Sequence, residues 1–198
     1  DARRPATVYL TPEVLPDGTP CTAATVILRT KECTWWWKSG CTFCGYFNDV
    51  RDDITAGDLF SQWDEAKSRT NDFEGCQMVK VYTSGTFFED REIPVEWQET
   101  ILRETHEKGL HLVVEAQAHL CKDEKLSWLA SIQPNCTVAI GLEAYDDEVL
   151  KFHVNKGFNL KTWHKAIQRL RKHNFGVKTY LLFKPPFMSE GDALFHTT

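Results

Sequence analysis

The chain has 198 residues, with 23 Lys and Arg against 28 Asp and Glu, for a net charge of −5. Its 42% apolar and 26% charged residues exclude collagen, low-complexity and disordered chains, and no run approaches the ~18 apolar residues of a membrane span. A negative chain does not bind nucleic acid by bulk positive charge, though a local basic patch stays open to it.

In chain order, residues 1–23 read as an extension leading into a first strand at Thr25–Leu28. Thr55 with Asp58 three residues on is a capping box, and Leu59, Trp63 and Ala66 share the helix face that follows. A second strand is expected at Met78–Thr83. Pro94 suits a helix start and Gly109 its exit, with Trp97, Ile101 and Thr105 on one face between them. A third strand follows at Leu112–Ala116, then a shorter helix marked by Leu126, Leu129 and Ala130. A fourth strand lies at Thr137–Leu142. Trp163, Ala166, Ile167 and Leu170 repeat at helical spacing before a fifth strand at Val177–Phe183. No internal repeat or linker divides the chain, so a single domain over 1–198 is expected.

Apolar strands separated by crossover helices predict an α/β fold with a parallel sheet covered on both faces. An open doubly wound sheet and a barrel both satisfy the pattern. In either, function gathers at the carboxyl ends of the strands. Those exits fall near Thr30–Cys44, Thr83–Phe88, Glu115–His119, Gly141–Tyr145 and Phe183–Phe187.

The first exit carries Cys33, Cys41 and Cys44, spaced C-x7-C-x2-C. No secretory apolar segment precedes the chain's seven cysteines, which favours a reducing, cytoplasmic setting where clustered thiols mean metal or catalysis. Three thiolates so close repel one another unless a metal neutralises them. A closed zinc site takes four ligands, whereas a cubane cluster on three cysteines keeps one iron open. A zinc site completed by a distant residue is the alternative. Cys21, Cys76, Cys121 and Cys136 read as ordinary reduced thiols.

This motif after the first strand resembles the radical S-adenosylmethionine (radical SAM) superfamily. The stretch from Cys33 to Asp49 is similar to the radical SAM subunits of archaeosine synthases. So are Val81–Phe88, Ile140–Glu143, Asn155–Phe158 and Tyr180–Phe187. Two departures stand out. Glu115-Ala116-Gln117 replaces Glu-Ser-Arg, and Glu32 replaces a glycine before Cys33.

The resemblance implies a partial parallel (β/α)6 TIM-type barrel. Only five strands are legible, so a fragment that stops before its last strand is expected. It also implies a 4Fe–4S cluster on Cys33, Cys41 and Cys44 that cleaves S-adenosylmethionine to a 5′-deoxyadenosyl radical. The implied target is a lysine-modified 7-deazaguanine in tRNA, whose C–N cleavage yields archaeosine. A lysine-transferring archaeosine synthase subunit and an external electron donor are the implied partners, with no membrane. Another radical SAM reaction on RNA, methylthiotransferase-like or elongator-like, is the alternative.

Candidate cofactor contacts sit at the strand exits. Ser84, Gly85 and Thr86 form a loop whose glycine allows close approach; a plain turn is the ordinary alternative. Glu115 and Glu143 end apolar strands, where a carboxylate needs a partner. Ribose hydroxyls, the cofactor ammonium or a structural ion pair would each serve. Gln117 and Tyr46 complete the expected set. Phe43, between two cysteines, could cover an adenine or pack in the core. Lys184, before Pro185-Pro186, could hold a carboxylate or phosphate. Trp35, Trp36 and Trp37 could stack on a nucleobase or shield the cluster. The basic run from Lys161 to His173 is an RNA footprint or the charged outer face of a helix. His119 and His153 lie near exits.

Overall fold

The five apolar runs form five parallel strands of one sheet, in a computed structural model that describes residues 1–48 and 50–197 apart from the side chains of Phe47, Phe195, His196 and Thr197. Asp49 lies outside the described residues. The parallel strands are β2 (Pro20–Ile27), β3 (Met78–Tyr82), β4 (His111–Glu115), β5 (Cys136–Glu143) and β6 (Gly176–Leu181). The segment read as a lead-in holds a strand of its own. β1 (Thr7–Val14) pairs antiparallel with β2 along its whole length, giving a six-stranded sheet in the order β1 to β6. This sixth strand of the sheet is an N-terminal edge strand, and the parallel strands among the described residues are the five read from sequence.

The helices are α1 (Thr34–Lys38), α2 (Ala56–Arg69), α3 (Val95–Glu107), α4 (Asp123–Ile132), α5 (Asp147–Val149), α6 (Leu160–Lys172) and α7 (Glu190–Thr197). The four helices read from sequence are present as α2, α3, α4 and α6, and α1, α5 and α7 are additional. Thr55 accepts from the Asp58 N–H while the Asp58 carboxylate accepts from the Thr55 N–H, closing the capping box. Pro94 stands one position earlier than read, as the N-cap of α3. α5 runs straight into a π-turn over Leu150–Val154 that exits through Asn155 at φ 53°.

Period-two alternation splits the strands between two faces. Ala24, Val26, Val79, Val81, Leu112, Val114, Val138 and Ile140 point toward the helices and form the main core. There Trp63 and Trp97 meet edge to face at 6.2 Å. At about 25 cal/mol per Å² of apolar area this buried layer is the main force holding the helices to the sheet. The opposite face is mixed: Ala23, Met78, Val113 and Ala139 lie beside Glu13, Lys80, Tyr82, His111, Glu115, Lys178 and Tyr180. Tyr180 donates to Tyr82 at 3.3 Å although their strands are three apart in the sheet. That separation is about 14 Å in a flat sheet, so the contact goes with a sheet curled toward this face. Among the described residues no helix is long and apolar enough to cross a membrane.

Candidate active site

Crossover connections leave every parallel strand pointing the same way, so their carboxyl ends share one rim. A cavity of 580 Å³ opens there, within the range for small-molecule and cofactor sites. Its wall includes Cys33, Cys41, Cys44, Phe43, Tyr46, Ser84, Gly85, Glu115, Gln117 and Glu143. Ten of the twelve residues expected from sequence therefore meet in one place. Thr86 does not line the cavity. It is fully buried beneath the loop, where its hydroxyl accepts from the Gln117 and Phe88 N–H groups. Lys184 is not brought to the cavity either, and lies 3.9 Å from Glu190.

Cys33 caps α1, and Gly40 and Gly45 flank the Cys41–Cys44 turn, in which the Cys44 N–H donates to the Cys41 carbonyl at 3.2 Å. The loop is clamped from across the sheet by residues 153–157. The Thr42 N–H donates to the Val154 carbonyl at 3.0 Å, and the Trp35 indole N–H donates to the Asn155 carbonyl at 2.8 Å. Asn155 Nδ2 donates to the Gly40 carbonyl at 2.6 Å and to Ser39 at 2.8 Å. A Cβ on Gly157 would stand 2.8 Å from the Trp35 ring, so only glycine lets the indole lie against this backbone. Trp35 is a fastening residue as well as a cavity wall. Trp36 lines the same wall, while Trp37 faces outward with the Arg91 guanidinium 5.7 Å from its ring.

Burial pushes the Cys33 thiol up, opposed by the N–H groups of Trp35 and Trp36 without a closed capping bond. Burial also pushes Cys41 up to about 11. Lys156 opposes this, and the nearby Cys44, Cys33 and Glu143 add to it. Cys41 therefore senses the other two sulfurs, and negative charge gathered on this wall is disfavoured unless a cation joins it. Among the described residues no three candidate ligands are gathered around a single ion's position. A soft, three-thiolate donor set on one cavity wall still fits a three-cysteine iron–sulfur cluster, whose irons are spread over the cubane. All seven cysteines are free thiols; Cys121 and Cys136 are buried, and Cys21 and Cys76 lie away from the cavity.

Two residues that sequence reasoning missed organise the rim. Glu92 is 1% exposed. It accepts from Thr30 Oγ1 at 2.7 Å, the Gly85 N–H at 2.9 Å and the Thr86 N–H at 2.8 Å. One carboxylate thus ties the β2 exit to the β3 loop. Burial raises it to about 7 against those hydrogen bonds. Gly85 is required here, since its added Cβ would sit 2.7 Å from the Cys33 Cβ. Lys156 is the other. Its ammonium lies 3.0 Å from Glu143 Oε1, both side chains are nearly buried, and it lines the cavity beside Cys41. Glu143 stands at φ 75° beside a bulge in β5, which turns its side chain inward. Its motif, Asn155-Lys156-Gly157-Phe158, was visible in the sequence, but the pairing was not.

Glu115 is pushed by burial up to about 7, with Tyr180 hydrogen bonding and Lys178 opposing. Gln117 Nε2 donates to Cys33 Sγ at 2.9 Å. His153 shares a 3.0 Å hydrogen bond with the Pro186 carbonyl, and neither it nor His119 lines the cavity. In α6, Ala166, Ile167 and Leu170 are buried, while Arg169, Lys172 and His173 surround Asp123 at 3.1–3.5 Å. Part of the basic run is therefore an ordinary charged outer face.

Parallel βα units carrying a C-x7-C-x2-C loop over a rim cavity define a class. Residues 38–194 match the Radical SAM superfamily, and the chain belongs to it. The chain is 31% identical over 185 residues to archaeosine synthase subunit beta of Methanosarcina acetivorans, covering 91% of this chain and 53% of that protein. It is 33% identical over 193 residues to archaeosine synthase subunit beta of Thermococcus kodakarensis, covering 94% and 59%. An uncharacterised protein of Methanocaldococcus jannaschii is 29% identical over 203 residues, with 98% and 55% covered. The chain spans about half the length of these relatives.

Proposed function

We propose that this chain is the radical SAM core of a tRNA-modifying enzyme that cleaves a C–N bond in a lysine-modified 7-deazaguanine to form archaeosine. The observation that carries the reading is the convergence of Cys33, Cys41 and Cys44 on one cavity at the carboxyl ends of parallel strands. The similarity to two proteins named archaeosine synthase subunit beta supports the substrate. In this reading the curled sheet is a partial (β/α)6 barrel, residues 1–198 are one domain, and the protein works in the reducing cytoplasm.

Cys33, Cys41 and Cys44 would hold the 4Fe–4S cluster. When bound, cluster and S-adenosylmethionine supply one-electron chemistry that generates a 5′-deoxyadenosyl radical. The chain's own residues bind and orient. Lys156 and Glu143 present opposite charges beside Cys41, suited to an amino-acid end. Ser84 and Gly85 line the cavity with their N–H groups already held by Thr30 and Glu92, leaving their carbonyls and the Ser84 hydroxyl to a ligand, with Thr86 buried beneath them. Glu115 and Glu143 can accept from ribose hydroxyls. Phe43 and Tyr46 form an aromatic flank for the adenine, and Trp35 and Trp36 exclude water from the sulfurs. Lys184 sits outside this wall, beside Glu190, and takes no part in holding the cofactor. A lysine-transferring subunit and an external electron donor complete the system.

The test combines the reconstituted protein, a reductant and tRNA bearing the lysine-modified base, with nucleosides read by mass spectrometry. Archaeosine in the product supports the reading. Cofactor cleavage with a methylthiolated or otherwise altered nucleoside instead would move the chain to a different radical SAM reaction.

A further inference from the structure

We propose that Gln117 tunes the iron–sulfur centre. Its side-chain amide donates to the Cys33 sulfur and raises the reduction potential of the cluster that Cys33 ligates. The inference rests on the cluster reading above and adds a positioning residue to it.

Cys33 is gripped from two strand exits. Gly85, after β3, packs so closely that an added Cβ would stand 2.7 Å from the Cys33 Cβ. Gln117, after β4, brings Nε2 to 2.9 Å from Cys33 Sγ. The Gln117 main chain is itself fixed. Its N–H donates to Thr86 Oγ1 at 3.2 Å, and its carbonyl accepts from the Leu120 N–H at 3.0 Å. The neighbouring Ala116 N–H donates to the Ala139 carbonyl at 2.9 Å. The side-chain amide thus reaches the sulfur from a main chain held on both sides.

The physical consequence follows from charge. Reduction adds one negative charge, shared among the irons and their sulfurs. An N–H dipole pointing at a ligand sulfur stabilises the reduced state more than the oxidised one, so the potential rises. A side chain of similar size that donates nothing loses this effect. A carboxylate at the same place reverses it.

The experiment is an anaerobic redox titration of the reconstituted protein without S-adenosylmethionine, followed by electron paramagnetic resonance. The variants are Gln117→Leu and Gln117→Glu. The midpoint should fall in Gln117→Leu by a three- to tenfold shift in the reduction equilibrium, ~28–59 mV for one electron. It should fall further in Gln117→Glu. Full cluster content with a wild-type midpoint in both variants would overturn the proposal. The wild type provides a second measurement that needs no variant. With 15N-labelled glutamine, pulsed resonance of the reduced cluster should reveal a coupled side-chain nitrogen. Its absence would also overturn the proposal. A wild-type protein that assembles no cluster would instead defeat the underlying cysteine reading, a separate and recognisable failure.

Discussion

At Gly85 a single methyl group separates a formed rim from a distorted one. Its added Cβ would meet Glu92 Oε2 at 2.6 Å and Cys33 at 2.7 Å. Gly85→Ala should therefore cost about 1–3 kcal/mol, the range for overpacking a tight site, read as a lowered denaturant midpoint with an unchanged slope. Lys156 and Glu143 form a nearly buried pair at 3.0 Å. Removing either partner alone strands the other charge, so Lys156→Met or Glu143→Gln should each destabilise by about 2–4 kcal/mol. The double variant should lose less than the sum, as a double-mutant cycle would show. Glu115 predicts a pH dependence. Burial raises its carboxyl from 4.5 to about 7. A raised native value means that the folded state holds the proton more tightly. That stability is present below pH 4.5 and lost as pH rises toward 7. Chemical denaturation of the metal-free protein across this window should show the decline in the wild type, and a flatter profile in Glu115→Gln.

The elements explain which parts of the molecule were legible beforehand. β2 to β6 declare themselves as apolar, β-branched runs because helices cover one face of them. β1 does not, because Thr7–Val14 is a half-exposed edge strand with Pro12 inside it. A proline has no N–H for the ladder and is tolerated only at such an edge, so it speaks against a strand in sequence. The capping box of α2 and the buried stripe of α6 are local and were readable. The clamp from residues 153–157 onto the cysteine loop is not, since its partners lie more than a hundred residues apart. Asn155 carries much of it, through two hydrogen bonds and a left-handed φ of 53°. Asn155→Ala should destabilise by about 1–3 kcal/mol and lower the iron retained after reconstitution. At the other end of the scale, Asp123→Asn removes a half-exposed carboxylate beside Arg169, Lys172 and the less exposed His173. It should move stability by less than ~1 kcal/mol in thermal melts.

At the scale of the whole molecule, one-directional strands turn distant residues into neighbours. Cys33, Gln117 and Glu143 share a cavity only because β2, β4 and β5 end on one rim. That much follows from a strand map and the rule that α/β sites lie at carboxyl ends. Glu92 and Lys156 escaped because their roles depend on tertiary partners, and a lone charged residue in a loop sequence carries no mark of being buried. Thr86 and Lys184 show the converse: a strand-exit position brings a residue near the rim without pointing its side chain into it.

We propose that the three cysteines and this rim support radical chemistry. The direct measurement is anaerobic cluster reconstitution, then dithionite and S-adenosylmethionine, with 5′-deoxyadenosine quantified by mass spectrometry. The expected result is a brown protein that forms 5′-deoxyadenosine, with that product lost in Cys41→Ala. A colourless protein with stoichiometric zinc, or a full cluster that yields no 5′-deoxyadenosine, would contradict it.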